Sequence, residues 1–150
     1  MNALLIVAHA PLASALRAVG RHVFPECDTP VEAIDVGPEA SVEQVEAAVH
    51  EVLEQLGRPD TLVLVDVANA TPSNSVLELA RKPGWRLRVV AGVNVPMLWR
   101  ALCYRDRPLE ELARYAIDGG VMGVLNLSPS RRQQQGPSAP PDDPNPDHDQ

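Results

Sequence analysis

Three polar residues stand where apolar runs stop. His9 follows Leu4–Ala8, Asp66 follows Thr61–Val65, and Thr71 comes shortly after Asp66, with Pro72 next to it. A carboxylate that accepts a hydrogen bond from one imidazole nitrogen fixes the tautomer and leaves the other nitrogen as a nucleophile. Thr71 offers a hydroxyl, and a helix N-terminus offers N–H groups and partial positive charge that suit a phosphate. Taken singly, a histidine after a strand is ordinarily a loop residue, an aspartate there a capping or turn acid, and a threonine an N-cap. Their placement together gives them a chemical reading, namely phosphoryl transfer through His9.

The pattern of elements supplies the placement. Leu4–Ala8 predicts a buried strand and Pro11–His22 a helix, with Leu12, Ala15, Leu16 and Val19 at helical spacing on one face. Val31–Val36 alternates apolar and acidic residues, as a half-exposed strand near an edge does. Ser41 with Gln44 reads as a capping box. The helix behind it carries Val42, Val45, Val49, Val52, Leu53 and Leu56 inward and stops at Gly57. Thr61–Val65 is continuous and β-branched, so it reads as a central strand. Thr71 as N-cap and Pro72 as first helical residue open a helix reaching about Arg81.

Trp85–Ala91 predicts a fourth strand, and Met97–Tyr104 a further helix. Leu109–Asp118 predicts another, with Leu109, Leu112, Ala113, Ala116 and Ile117 inward and Gly119-Gly120 as its stop. Val121–Leu127 predicts a last short strand. Strands alternating with helices imply an α/β, doubly wound, mainly parallel sheet. With right-handed crossovers the strand order is 2-1-3-4. His9 and Asp66 then end the two central strands at the switch point, where open α/β sheets place their ligands. The domain spans 1–127. The segment 128–150, rich in Pro, Gln and Asp, is expected to be a disordered tail.

Bulk properties narrow the function. Net charge is −7; two arginines and four aspartates in the tail leave −5 for the domain, which excludes the basic footprint of a nucleic-acid binder. Cys27 and Cys103 form neither a disulfide framework nor a zinc pattern. No run is long enough for a membrane span or signal segment, so a cytoplasmic protein is expected. Walker, GxGxxG, Gly-x-Ser-x-Gly and metal-ligand patterns are absent. No metal or cofactor is expected, and the phosphoryl group must come from another molecule. His22 and His50 read as surface residues. Trp85 and Trp99 read as packing or interface residues.

Three stretches resemble the enzyme IIA component of the mannose family of the bacterial sugar phosphotransferase system. They are Leu5-Ile-Val-Ala-His9, Leu64-Val-Asp66 with Thr71-Pro72 and Asn74, and Ala91-Gly-Val-Asn-Val-Pro-Met-Leu98. The resemblance spans 1–127. It implies that His9 takes a phosphoryl group from phospho-HPr and passes it to a IIB component, and that Asp66 orients the imidazole. It sets Thr71 where the family usually has Ser, and the Asn94–Met97 turn (Asn94, Pro96, Met97) near the site. It also implies a homodimer in which the C-terminal strand crosses to the partner's sheet, and membrane association only through a permease partner.

One departure stands out: the family's Gly-Gly-Ser-Pro run is Asn69-Ala70-Thr71-Pro72 here. The missing glycines narrow the φ values open to a phosphate-facing loop, although Asn tolerates left-handed φ. In transport members such a tail can lead into a IIB domain, and none is expected here. A regulatory module without a transport role therefore stands beside the transport reading. So does the phosphotransfer subunit of a dihydroxyacetone kinase.

Overall fold

A computed structural model of the chain describes residues 1–129. Four parallel strands form one sheet: β1 (Ala3–His9), β2 (Val31–Val36), β3 (Thr61–Val65) and β4 (Leu87–Ala91), in the order β2-β1-β3-β4. Five helices connect and cover them: α1 (Leu12–Val23), α2 (Val42–Gln55), α3 (Thr71–Ala80), α4 (Val95–Cys103) and α5 (Leu109–Met122). The expected strand order and α/β class are as observed.

The central strands are buried on both faces, which is why they read as unbroken apolar runs. Leu4, Ile6 and Ala8 of β1, with Leu62 and Leu64 of β3, pack under α1, α4 and α5. Leu5, Val7, Val63 and Val65 pack on the other face against α2 and α3. Each fully buried Leu, Ile or Val contributes roughly 1.5–3 kcal/mol, so these two strands anchor the domain. Helix α1 leaves β1 towards β2 on one face, and α3 leaves β3 towards β4 on the other. The carboxyl ends of β1 and β3 therefore border a gap between diverging helices.

Local signals explain the helix ends. The Ser41 hydroxyl accepts the Gln44 N–H at 3.1 Å, and the Gln44 side chain accepts the Ser41 N–H at 3.0 Å, completing the expected capping box. At the other end of α2 the Gly57 N–H bonds Glu54 O and the Arg58 N–H bonds Leu53 O. This paired arrangement stops a helix at a C′ glycine.

The structure corrects the sequence reading in several places. Strand β1 extends to His9 itself, and β4 begins at Leu87 rather than Trp85. Helix α1 buries Ala13, Leu16 and Gly20, leaving Leu12, Ala15 and Val19 outward, because the small residues permit a close approach to Leu98 and Leu102 of α4. Helix α3 is capped by Ala70, with Thr71 as its first residue and Pro72 second. The Ser73 hydroxyl, at the third helical position, reaches back to accept the Ala70 N–H at 3.1 Å. Helix α4 begins at Val95, two residues before Met97, and Ile117 of α5 is 45% exposed.

The largest correction concerns Gly119-Gly120. They do not end α5; both are buried inside it, and the helix runs on to Met122. A Cβ on Gly119 would stand 2.5 Å from the Arg100 Cβ, so the glycines let α5 press against α4. Val121 and Met122 are therefore helical, not the start of a strand. Val124–Leu127 form no strand within the single chain, and Val124, Leu125 and Leu127 are exposed. Of the expected tail, 130–150 lies outside the described residues.

Candidate active site

The ends of β1 and β3 meet as the sequence reading required. One oxygen of Asp66, Oδ2, accepts two hydrogen bonds from His9: one from its backbone N–H at 3.0 Å and one from Nδ1 at 2.7 Å. The other, Oδ1, accepts the Val67 N–H at 3.0 Å. Asp66 is thus held by three donors, two of them backbone groups. Its side chain is 15% exposed, against 51% for His9. Burial works to raise the Asp66 pKa, but the His9 ring, the His9 N–H, the imidazolium charge and the Val67 N–H together hold it below its ordinary value. The carboxylate stays ionised, so Nδ1 carries the proton that faces it. Nε2 is left as the free lone pair on the exposed side of the ring.

The loop after Asp66 brings α3 into place. Asn69 has φ 60°, the left-handed region that Asn enters more readily than other non-glycine residues. It does here what a glycine would do. Ala70 follows in extended geometry, and α3 starts at Thr71. Pro72 has no N–H to offer. Among the described residues the N–H groups of Thr71 and Ser73 have no acceptor, as expected of a first helical turn. Thr71 is partly buried and Asn69 exposed.

The expected residues of the β4–α4 turn serve a different part of the structure. The Asn94 Oδ1 accepts the Met97 N–H at 2.9 Å, and its Nδ2 donates to Gly120 O at 3.0 Å, so it caps α4 and ties it to α5. Met97 is buried in the core, and Pro96 lies against Gly123. The turn reaches the site through its backbone. The Gly92 N–H donates to Asp66 O at 3.1 Å and the Val93 N–H to Val65 O at 3.0 Å. Gly92 has φ 89°, which a residue with a side chain adopts only at a cost.

Gly92 escaped the sequence reading as a site residue, although it lies inside the third resembling stretch. Asp35 escaped it too. Its carboxylate, near the end of β2, accepts the Ser14 N–H in the first turn of α1 at 3.0 Å. The Ser14 hydroxyl and the Ser14 and Ala13 N–H groups outweigh burial and lower its pKa. The signal was present as an acid at the end of an edge strand, next to Ala8 in register.

Among the described residues no three His, Cys, Asp or Glu side chains gather to hold a metal ion, and no helix is long and apolar enough to cross a membrane.

The sequence profile of the EIIA-man family, described as the PTS system fructose IIA component, matches residues 3–114. The chain belongs to the EIIA-man family. Its fold superimposes on the mannose/sorbose-specific IIA subunit of the phosphotransferase system from Enterococcus faecalis. The TM-score is 0.75 at 26% identity, covering 87% of this chain and 98% of that one. The phosphotransferase system component EIIA from Streptococcus agalactiae shares the fold at TM-score 0.75 and 22% identity, covering 84% and 97%. No curated protein sequence matches the chain. Members of the EIIA-man family act in phosphotransfer within the sugar phosphotransferase system, alongside HPr and IIB partners.

Proposed function

We propose that His9 accepts a phosphoryl group from phospho-HPr on Nε2 and hands it to a IIB component or a regulatory target. The observation that carries this reading is the 2.7 Å contact between His9 Nδ1 and the Asp66 carboxylate. A bond forms between Nε2 and phosphorus as the bond from phosphorus to the donor breaks, and the donor keeps the electron pair. The proton on Nδ1 stays in place, so the phosphorylated ring carries positive charge. Asp66, ionised and held by three N–H donors, stabilises that charge. Onward transfer reverses the roles, with Nε2 as leaving atom.

The phosphoryl oxygens meet the first turn of α3. Thr71 supplies its hydroxyl and N–H, Ser73 a second N–H, and the left-handed Asn69 with Ala70 shapes the approach. Asn94, Pro96 and Met97 act at one remove, by fixing the turn that carries Gly92 to Asp66. The dimer remains part of this reading. The exposed apolar side chains of Val124, Leu125 and Leu127 suit a segment that pairs with a second copy. A version ending at Gly123 should lose the dimer in light scattering.

Incubation with enzyme I, HPr and labelled phosphoenolpyruvate tests the transfer. Label should enter the wild type in an acid-labile form and be absent from His9→Ala. Equal labelling of both proteins would exclude His9 as acceptor.

A further inference from the structure

Among the described residues just two buried side-chain polar atoms have no hydrogen-bond partner, Thr29 Oγ1 and Arg105 Nε. Their residues line two neighbouring cavities. The first, of about 160 Å³, is bounded by Thr29, Phe24, Leu102 and Arg21. The second, of about 320 Å³, is bounded by Arg105 and Glu26. Phe24 and the partly buried Cys27 line both.

The first cavity is remote from His9. It touches Pro30 and Val31 at the start of β2, whereas His9 lies opposite Val36 at its end. Helix α1 spans the distance, starting at Leu12 beside the site and bringing Gly20 and Arg21 to the cavity.

A buried polar group without a partner is costly, and native proteins hold few of them. Thr29 is 5% exposed, so bulk water does not serve its hydroxyl. Charge points to what would. Glu32, in the wall of the first cavity, is taken by Arg17 at 2.9 Å. Arg21 has no ion-pair partner among the described residues. Across the two cavities this leaves two cations, Arg21 and Arg105, against one carboxylate, Glu26. The lining favours an anion in a protein of net charge −7. Phe24 and Leu102 add apolar wall, which a bare inorganic anion would leave uncovered. A cavity of roughly 150 Å³ holds a benzene-sized molecule, so about six non-hydrogen atoms fit.

We propose that the cavity between the end of α1 and the start of β2 binds a small organic monocarboxylate. Arg21 and the Thr29 hydroxyl bond its carboxylate, and Phe24 and Leu102 pack on its hydrocarbon chain. Arg105 adds positive charge from the neighbouring cavity. The site is independent of phosphotransfer and stands whether or not His9 is the acceptor.

Butyrate is the probe, 1-butanol its uncharged counterpart and inorganic phosphate the bare anion. Amide NMR of the full chain should show butyrate moving Arg21, Thr29 and Val31 and leaving Thr71 and Ser73 in place. At about ten times the measured Kd, alkylation of Cys27 by iodoacetamide should slow about tenfold. The exposed Cys103 should react at its free rate. Arg21→Gln should weaken butyrate about fivefold, the worth of one charge pair close to water. Thr29→Val should weaken it too while keeping the fold, since the swap removes an unpartnered hydroxyl and preserves shape.

No shift at Thr29 up to about 100 mM butyrate would overturn the proposal, since even an inefficient ligand of this size binds by then. So would shifts at Thr71 as large as those at Thr29, or a Cys27 that butyrate leaves unprotected. Equal binding of 1-butanol, equal shifts from phosphate, or unweakened binding in Arg21→Gln would overturn the carboxylate assignment.

Discussion

The carboxyl ends of β1 and β3 and the β4–α4 turn look alike in sequence, since each carries a stretch resembling the same family. In the structure they are built for opposite purposes. At β1 and β3 the polar side chains face outward: His9 is half exposed, and its ring nitrogen opposite Asp66 is free. At the β4–α4 turn the side chains face inward. Asn94 spends both ends of its amide on α4 and α5, and Met97 is buried. It is the backbone N–H groups of Gly92 and Val93 that reach back to the end of β3. A distinctive motif can thus mark a support as readily as a reacting group. What separates the two is where the hydrogen-bonding capacity is spent.

Substitutions can break that contrast, and the largest effect belongs to the outward region. Asp66→Asn should lower the rate of phosphoryl acceptance by about 100-fold, because the ring loses its fixed tautomer and its counter-charge. Rapid-quench labelling from phospho-HPr measures it, and the melting temperature should change far less in proportion. Gly119→Val should do the reverse. A Cβ there meets Arg100 Cβ at 2.5 Å and Pro96 O at 3.2 Å, and overpacking of this kind costs about 2 kcal/mol. Urea titration should show the loss of stability, while the folded fraction is phosphorylated at the wild-type rate.

A smaller effect tests the support itself. Asn94→Ala removes the cap of α4 and leaves Gly120 O without its side-chain donor, for a loss of about 1 kcal/mol. It should be visible in thermal melts. Smallest is the pH response. The folded Asp66 pKa lies below its ordinary value of 3.8, so its contribution to stability is present above that value. It is lost as pH falls through the lower folded pKa. Melts from neutral pH into that acid range should bring wild type and Asp66→Asn together only at the acid end.

Much of this was legible in the chain because the sheet is buried on both faces. Continuous apolar runs at β1 and β3 named the central strands, and their last residues named His9 and Asp66. The capping box at Ser41 and the glycine stop at Gly57 were legible because each depends on a local signal. Three things were not. The inward face of α1 is set by small residues, Ala13 and Gly20, which allow α4 to come near, so counting large apolar residues selected the wrong side. Gly119-Gly120 read as a stop because glycine usually ends helices; here its lack of a Cβ serves close packing between α4 and α5. Asp35 looked like one acid in an alternating edge strand, and only the tertiary meeting with Ser14 revealed its use.

The central claim is that Asp66 holds Nδ1 of His9 and so directs phosphorylation to Nε2. Phosphorus and nitrogen NMR of the phosphorylated protein tests it most directly, because the two phosphohistidine isomers give distinct signals and couplings. The account predicts a single phosphohistidine, at His9, bonded through Nε2, with Nδ1 still protonated. Phosphorus bonded to Nδ1, or to any residue other than His9, would contradict it.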